Sequence, residues 1–233
     1  MDRTKKIVIG VLVAVLVVGI GGYAILALTT NDAPEAAALP ADGEGSALPD
    51  AGLTADSLEG AYTLDASRSF VGYRVREKLA SLPAPNDAVG RTSEVTGSLT
   101  VTGLDVNPVE VTADLTTLTS DEAFRDERIR TIGLESDSFP EATFMLTSPI
   151  SFAEQPGEGQ EVESEATGTL TLHGVTNDVT VPVTARWTSG GIEVAGSLDI
   201  VFADYQIEPP RFGPVNVGDD GTIEFELAFV PSA

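Results

Sequence analysis

From residue 61 onward, hydrophobic and polar side chains alternate through most of the chain. In "EVTGSLTVTG" (94–103), Val95, Leu99 and Val101 share one face, and threonines occupy the other. The same period of two recurs at 69–77, 109–118, 141–150, 166–173, 179–187, 191–202 and 222–229. Alternation of this kind is typical of β-strands that bury one face. The pattern therefore predicts about eight strands in a single domain over residues 61–233.

Short turn signals separate several of these segments, including Asn177-Asp178, Gly190-Gly191 and Asp220-Gly221. Short connections between strands make sequential strands antiparallel neighbours. So many alternating strands in antiparallel order indicate an all-β sandwich or a closed barrel.

One stretch, residues 120–133, breaks the alternation and predicts a short helix. Ser120 or Asp121 is a suitable N-cap, good helix formers continue to Ile132, and Gly133 is a suitable end. The helix carries three arginines, for which two interpretations stay open. They could bind an anionic head group bidentately, or they could pair with neighbouring acids of the same helix. These arginines are Arg125, Arg128 and Arg130.

The N-terminal segment has the pattern of a membrane anchor. Residues 1–6, "MDRTKK", carry three basic side chains, and residues 7–28 are 22 residues without a charge. A helix of that length spans about 33 Å, enough to cross a bilayer core. The basic flank predicts a single-pass protein with a cytoplasmic N-terminus and an extracytoplasmic domain. A cleaved signal peptide is the alternative, although its apolar region is usually shorter.

Residues 29–60 are rich in Ala, Pro, Gly and acidic residues and contain no Lys, Arg or aromatic residue. Such a composition buries too little apolar surface to offset the entropy of ordering. It predicts a disordered linker that holds the barrel domain off the membrane.

Composition excludes several classes of function. The chain has no cysteine, which removes thiolate catalysis, cysteine-based metal sites and disulfides. Its formal net charge of −23 argues against nucleic acid and anionic membrane surfaces as partners, because phosphate binding depends on clustered Lys and Arg. Carboxylates are abundant, but with one histidine and no cysteine they form no recognised metal-ligand spacing, so the sequence predicts neither a metal nor another cofactor. It predicts no particular oligomeric state.

His173, the only histidine, stands at the end of a predicted strand. A metal site needs three or four converging ligands, and a general base needs a nucleophile and an orienting carboxylate. No histidine or cysteine partner exists for His173. The sequence therefore favours a structural role, in which the imidazole hydrogen-bonds across the mouth of a hairpin and sets its turn.

The succession of five segments resembles the YceI-like family, and the resemblance covers residues 61–231. The segments are "YTLDASRSFVGYRVRE", "VTGSLTVTG", "FRDERIRTIGLESDSFPEATF", "GTLTLHGVTNDVTVPV" and "RFGPVNVGDDGTIEFEL". The resemblance implies an eight-stranded, lipocalin-like antiparallel barrel and an isoprenoid or other long-chain lipid-like ligand. Family members often carry a basic-acidic-aromatic-glycine run near the last loop. Here Pro209-Pro210 precede Arg211 and Phe212-Gly213.

Nine residues are candidates for ligand binding. Aromatic side chains could line an apolar cavity near one end of the barrel, and small inward residues such as Gly196 could leave space beside them. The alternative for each aromatic residue is ordinary core packing. The candidates are Phe124, Phe139, Phe144, Gly196, Leu198, Phe202, Tyr205, Arg211 and Phe212.

These observations predict non-catalytic binding, storage or transport of a lipid-like chain. Two other classes stay open. The domain could have a filled core and act as a tethered surface interaction module. It could also be a hydrolase that uses carboxylates such as Asp114 or Asp204, although no spacing of acids singles out a catalytic pair.

Overall fold

Alternating strands account for most of the computed structural model, which describes residues 33–40, 48–79, 86–209, 211–212 and 215–232. The predicted anchor at 7–28 lies outside these residues. Within the described chain, no helix is long and apolar enough to cross a membrane.

The strands of the described residues form one sheet. They are β1 (Gly60–Leu64), β2 (Phe70–Leu79), β3 (Asn86–Thr92), β4 (Val95–Thr102), β5 (Asp105–Asp114), β6 (Thr119–Ser120), β7 (Glu141–Leu146), β8 (Ile150–Ser151), β9 (Val162–Leu172), β10 (Val175–Thr188), β11 (Gly191–Val201), β12 (Arg211–Phe212), β13 (Val215–Val217) and β14 (Asp220–Pro231).

The helical elements are short. The α-helix α1 spans Ala123–Arg128 and passes directly into a π-helix at Ile129–Gly133. Single 3-10 turns lie at Ala55–Ser57, Ala66–Arg68, Leu115–Thr117 and Phe202–Tyr205.

Eight antiparallel strands close into a barrel, in the order β1-β4-β5-β7-β9-β10-β11-β14 and back to β1. The strand β14 joins the two ends of the sheet. Its C-terminal part pairs with β1, and Thr222–Glu226 pair with Arg74–Phe70 of β2. The strands β1 and β2 are separated by one 3-10 turn. Together they therefore occupy the position of a single barrel strand beside β14. The predicted eight-stranded antiparallel barrel with one short helix is confirmed.

The barrel has two chemically different ends. The hairpin end carries the β4–β5 and β10–β11 turns and the start of β1. The helix end carries α1, the π-helix and the 3-10 turn that follows β11. The helix begins later than predicted, because Glu122 and not Ser120 or Asp121 is the N-cap. The Ser120 hydroxyl instead accepts a hydrogen bond from the Glu122 N–H. The helical region ends at Gly133, as predicted.

Aromatic rings lie over glycines on the inner face of the wall. At Gly196, an added Cβ would come 2.7 Å from Cζ of Phe225 and 2.6 Å from the Pro182 carbonyl oxygen. The space left by the missing side chain is thus occupied by a ring from the neighbouring strand. The same arrangement pairs Gly168 with Phe144 and Gly90 with Tyr73, and the Phe202 ring from the 3-10 turn after β11 lies in the same way against Gly221.

The prediction of a disordered linker over 29–60 is wrong for residues 35–40 and 48–59, which we call the N-terminal strap. Leu48 and Leu58 are buried, and Leu53 packs against the core of the barrel. The backbone N–H groups of Ala51 and Leu53 both donate to the Ser189 carbonyl at the hairpin end. The average composition of residues 29–60 does not reveal these leucines, because Ala, Pro and acidic residues dominate it. Each leucine nevertheless buries apolar surface on folding.

The strap also bonds to two arginines on the outer face of the barrel. The Arg186 guanidinium donates to the Pro40 carbonyl at 2.6 Å and pairs with the buried Glu193 carboxylate at 2.6 Å. Arg91 donates to the Glu35 carbonyl at 2.6 Å and pairs with Glu224 at 2.8 Å. Each arginine therefore satisfies a buried acid and a strap carbonyl together, which removes unpaired charge beneath the strap.

We expect Gly196→Ala to lower the free energy of unfolding by about 1–3 kcal/mol, the usual cost of overpacking. The added methyl group must displace either the Phe225 ring or the Pro182 backbone. Urea denaturation measures the change. The control is Gly157→Ala, where the nearest atom is 3.4 Å away at the end of the Gln160 side chain. This control should stay within about 0.5 kcal/mol, and equal effects at both positions would contradict the packing account.

Candidate functional site: an apolar lumen with a polar end

The interior of the barrel holds two cavities that follow one another along its axis. The cavity toward the hairpin end has a volume of about 230 Å³, and the cavity toward the helix end about 380 Å³. Val71, Ala142 and Ile223 line both of them. The two cavities therefore adjoin each other and together make up the lumen of the barrel, and their volumes contradict a filled core.

The hairpin-end cavity is lined almost wholly by inward apolar side chains of the barrel strands. Representative members are Leu99, Val111, Phe144, Val183, Leu198 and Phe225. Leu58 of the strap, Phe152 and Trp187 lie at its outer end. The Trp187 indole N–H donates to the Pro156 carbonyl at 2.8 Å, which fixes the loop across this end. A chain entering this cavity would meet hydrocarbon on nearly every side.

The helix-end cavity combines an apolar wall with a polar rim. Its wall includes Leu115, Leu134, Leu172, Ile200, Phe202 and Ile207. Its polar members are Tyr73, Glu77, Glu122, Arg125, Arg128 and Thr222. Ligand pockets commonly have this composition, in which a few polar groups orient a mostly apolar molecule.

The rim of the helix-end cavity contains a largely buried ion pair. Arg125 Nε and Glu77 Oε1 are 3.3 Å apart, and their side chains are 15% and 10% exposed. Arg125 also bonds to Asp121, one turn earlier. Burial alone would lower the pKa of Arg125, but the bonds to Glu77 and Asp121 outweigh it and leave the pKa raised. The guanidinium therefore stays charged and is already matched by carboxylates.

Tyr73 supplies a buried hydroxyl beside this ion pair. Its ring lies over Gly90, and its hydroxyl has no hydrogen-bond partner among the described residues. Burial raises the pKa of Tyr73, and the nearby Arg125 charge opposes this shift. The phenol is therefore neutral in the folded protein and retains an unused donor at the helix end.

The predicted pairing of helix arginines with acids is confirmed for Arg125 and Arg130. Arg130 bonds to Glu127 at 2.6 Å and to Asp137 at 2.5 Å. Arg128 lies over the Phe124 ring, with its Cζ 4.9 Å from the ring centroid. The bond from Arg125 to Glu77 could not be expected from the local sequence, since Glu77 is 48 residues away.

His173 lies in a two-residue hairpin turn and contributes to neither cavity. Both turn residues have positive φ, +52° at His173 and +73° at Gly174, as tight hairpins require. Its Nδ1 is 3.0 Å from the Tyr205 carbonyl and its Nε2 is 3.0 Å from Glu135 Oε2. The predicted structural role is supported, but the imidazole bonds to other loops and not across the hairpin.

The structure separates the nine predicted ligand residues into groups. Phe144 and Leu198 line the hairpin-end cavity, and Phe124 and Phe202 line the helix-end cavity. Gly196 faces inward beneath Phe225 but lines neither of these cavities.

Two further candidates, Phe139 and Tyr205, do not border the lumen. Phe139 packs on His173 with ring centroids 4.4 Å apart, and Tyr205 is buried beside the lumen without lining it. The Arg211 and Phe212 backbone forms β12, and their side chains lie outside the described residues. The sequence prediction missed Tyr73 and Glu77. Alternation in "SFVGYRVRE" would have placed both on the inner face of β2.

Carboxylates show no catalytic arrangement in the described residues. Asp114 Oδ1 caps a 3-10 turn by accepting the Thr116 N–H at 2.8 Å and the Thr116 hydroxyl at 2.6 Å. Asp114 and Asp204 line neither cavity. Across the described ranges, no group of three or more acidic or histidine side chains is placed to hold a metal ion.

A closed antiparallel barrel with an apolar lumen and a polar rim places the protein in the class of small eight-stranded β-barrels. Within that class, the YceI-like domain model matches residues 62–229, and the chain belongs to the YceI-like family. Comparison with curated proteins gives no match.

Two solved structures share the fold at low sequence identity. A polyisoprenoid binding domain from Saccharophagus degradans, implicated in plant cell wall breakdown, is 21% identical with a TM-score of 0.59. The match covers 73% of this chain and 98% of that domain. Burkholderia cenocepacia BcnA is 19% identical with a TM-score of 0.54, over 71% of this chain and 98% of BcnA.

We expect His173→Asn to lower the free energy of unfolding by about 1–3 kcal/mol, because the imidazole contacts with the Tyr205 carbonyl and the Glu135 carboxylate are lost. Asparagine tolerates the left-handed backbone of the turn, so the change isolates the lost bonds. Isoprenoid affinity should not change, since the residue lies outside both cavities. Thermal denaturation and a binding titration measure the two effects. The exposed Asp178→Asn on the same hairpin is the control. Lost binding at unchanged stability would show that His173 belongs to the site.

Proposed function

We propose that the protein binds an isoprenoid or other long-chain lipid inside the barrel, for storage or transfer without making or breaking a bond. The observation that carries this proposal is the lumen, which runs from an apolar hairpin end to a polar rim. Burying apolar surface contributes about 25 cal/mol per Å². A slender chain therefore gains affinity along the whole lumen, while polar groups at the rim orient its head.

Two further observations support this function. The family match covers the whole barrel, and one structurally similar protein is itself a polyisoprenoid binding domain. At the rim, Arg125 and Glu77 are held in an ion pair, and not in a nucleophile–base pair of the kind that catalysis needs.

Ala142→Phe should weaken binding of a fluorescent isoprenoid by about tenfold or more, which corresponds to about 1.4 kcal/mol. Ala142 lines both cavities, so an added ring fills the passage between them. Fluorescence titration of the detergent-solubilised full chain gives the affinity, and circular dichroism checks the fold.

The matched control is Met145→Phe on the outer face of the same strand, where the side chain is 50% exposed. It adds the same ring without entering the lumen and should bind normally. Wild-type affinity in a folded Ala142→Phe variant would remove the lumen as the binding site.

We further propose that residues 7–28 remain as a membrane anchor and hold the barrel outside the cytoplasm. The support is the 22-residue uncharged stretch behind three basic side chains. Membrane fractions should contain a protein that begins with "MDRTKK", and protease added outside intact cells should degrade the barrel. A soluble protein whose N-terminus lies near Thr29 would show cleavage in place of anchoring.

A further inference from the structure

An exposed stripe runs along the helical segment at the helix end. Phe124 is 63% exposed and Ile132 is 37% exposed, although both are large and hydrophobic. Arg128 lies between them, with its guanidinium over the Phe124 ring. Phe124 and Arg128 are four residues apart on α1 and share one face, and Ile132 follows in the π-helix. An aromatic, a basic and an aliphatic side chain in that order suit a membrane interface, where the charge remains at the head groups.

The stripe is continuous with the binding lumen. Phe124 and Arg128 border the helix-end cavity, and the next residue, Ile129, also lines it. A molecule that leaves the cavity between these side chains therefore meets an apolar surface before it meets water.

The strap shows the direction in which the chain approaches this end. Going back toward the N-terminus, successive strap groups bond to residues farther from the hairpin end. In order, Pro40 O bonds to Arg186, Ala38 N to Glu226 at 3.2 Å, and Glu35 O to Arg91 beside Glu224. Because β14 runs from the helix end to the hairpin end, the step from Glu226 to Glu224 leads toward the helix end.

Only six residues, 29–34, separate the predicted membrane span from Glu35, the first residue of the strap. An extended chain covers at most about 3.3–3.6 Å per residue, so this connection reaches roughly 25 Å. Because the strap is bound to the barrel, only residues 29–34 are left to act as a free linker. This linker is much shorter than the one that the sequence predicted.

We propose that the stripe of Phe124, Arg128 and Ile132 docks on the surface of the lipid bilayer. The helix-end cavity then receives its ligand directly from the membrane. The proposal rests on the lipid-binding function and on the anchor proposed above. A bilayer is the occupant that fits, because the ligand dissolves there and the short connection keeps the barrel beside it.

Tryptophan quenching by brominated phosphatidylcholine tests the contact without any ligand. The full chain is reconstituted into vesicles as Phe124→Trp or as Met145→Trp, with the buried Trp187 as a constant background. Met145 is the control because it is an exposed hydrophobic residue on the barrel wall. Phe124→Trp should lose at least twice as much emission as Met145→Trp. Equal quenching at the two positions overturns the docking.

Uptake kinetics test the consequence. Ile132→Asp should slow transfer of a fluorescent isoprenoid from phosphatidylcholine vesicles by about tenfold. Its equilibrium affinity for the same probe, titrated in detergent, should stay within about twofold, because Ile132 lines neither cavity. Met145→Asp should change neither quantity. Normal transfer rates in Ile132→Asp also overturn the docking.

The two experiments separate the docking from the proposed function. Selective quenching in a protein that binds no probe in detergent leaves the docking in place and refutes lipid binding. Probe binding in detergent without selective quenching refutes the docking and leaves lipid binding in place.

Discussion

Closure of the sheet by β14 is the constraint on which the rest of the structure depends. This strand is twelve residues long and reaches across the break between β1 and β2, pairing with β1 at one end and with β2 at the other. Closure removes the unpaired edges of an open sheet and turns one face of every strand inward. Since the inward residues alternate with outward ones, the same geometry that satisfies the backbone also creates an apolar interior.

The interior remains open because aromatic rings of one strand lie over glycines of the neighbouring strand. Phe225 over Gly196 and Phe144 over Gly168 lie close against the wall. The sequence predicted that small inward residues such as Gly196 leave space for a ligand, but the inward glycines do not create the lumen by being small. A glycine instead accommodates a neighbouring ring, and the lumen is bordered by the ring. Cavity volume therefore depends on pairs of residues that are close in the barrel and distant in sequence.

Alternation made most of the barrel predictable, and the exceptions have physical causes. The strand β3 was missed because "NDAVGRT" contains Asn, Asp and Gly, which are depleted in strands, and its central residues are buried without alternation. Its pairing with β2 and β6 overrides that local preference. For the site, alternation gave Phe144 and Leu198. The Glu77–Arg125 pair could not be predicted, because nearer acids compete for the same arginine.

The contrast between the two barrel ends determines how an occupied lumen would be oriented. At the hairpin end, Trp187, Phe152 and Leu58 offer hydrocarbon, and the Trp187–Pro156 hydrogen bond holds the covering loop in place. At the helix end, Tyr73 retains an unused hydroxyl beside a neutralised ion pair. A polar head buried at the hairpin end would lose its hydrogen bonds to water without replacement, at a cost of about 1–3 kcal/mol per group. Under the proposed function, the tail therefore lies toward the hairpin end, and the head stays at the helix end where the ligand enters.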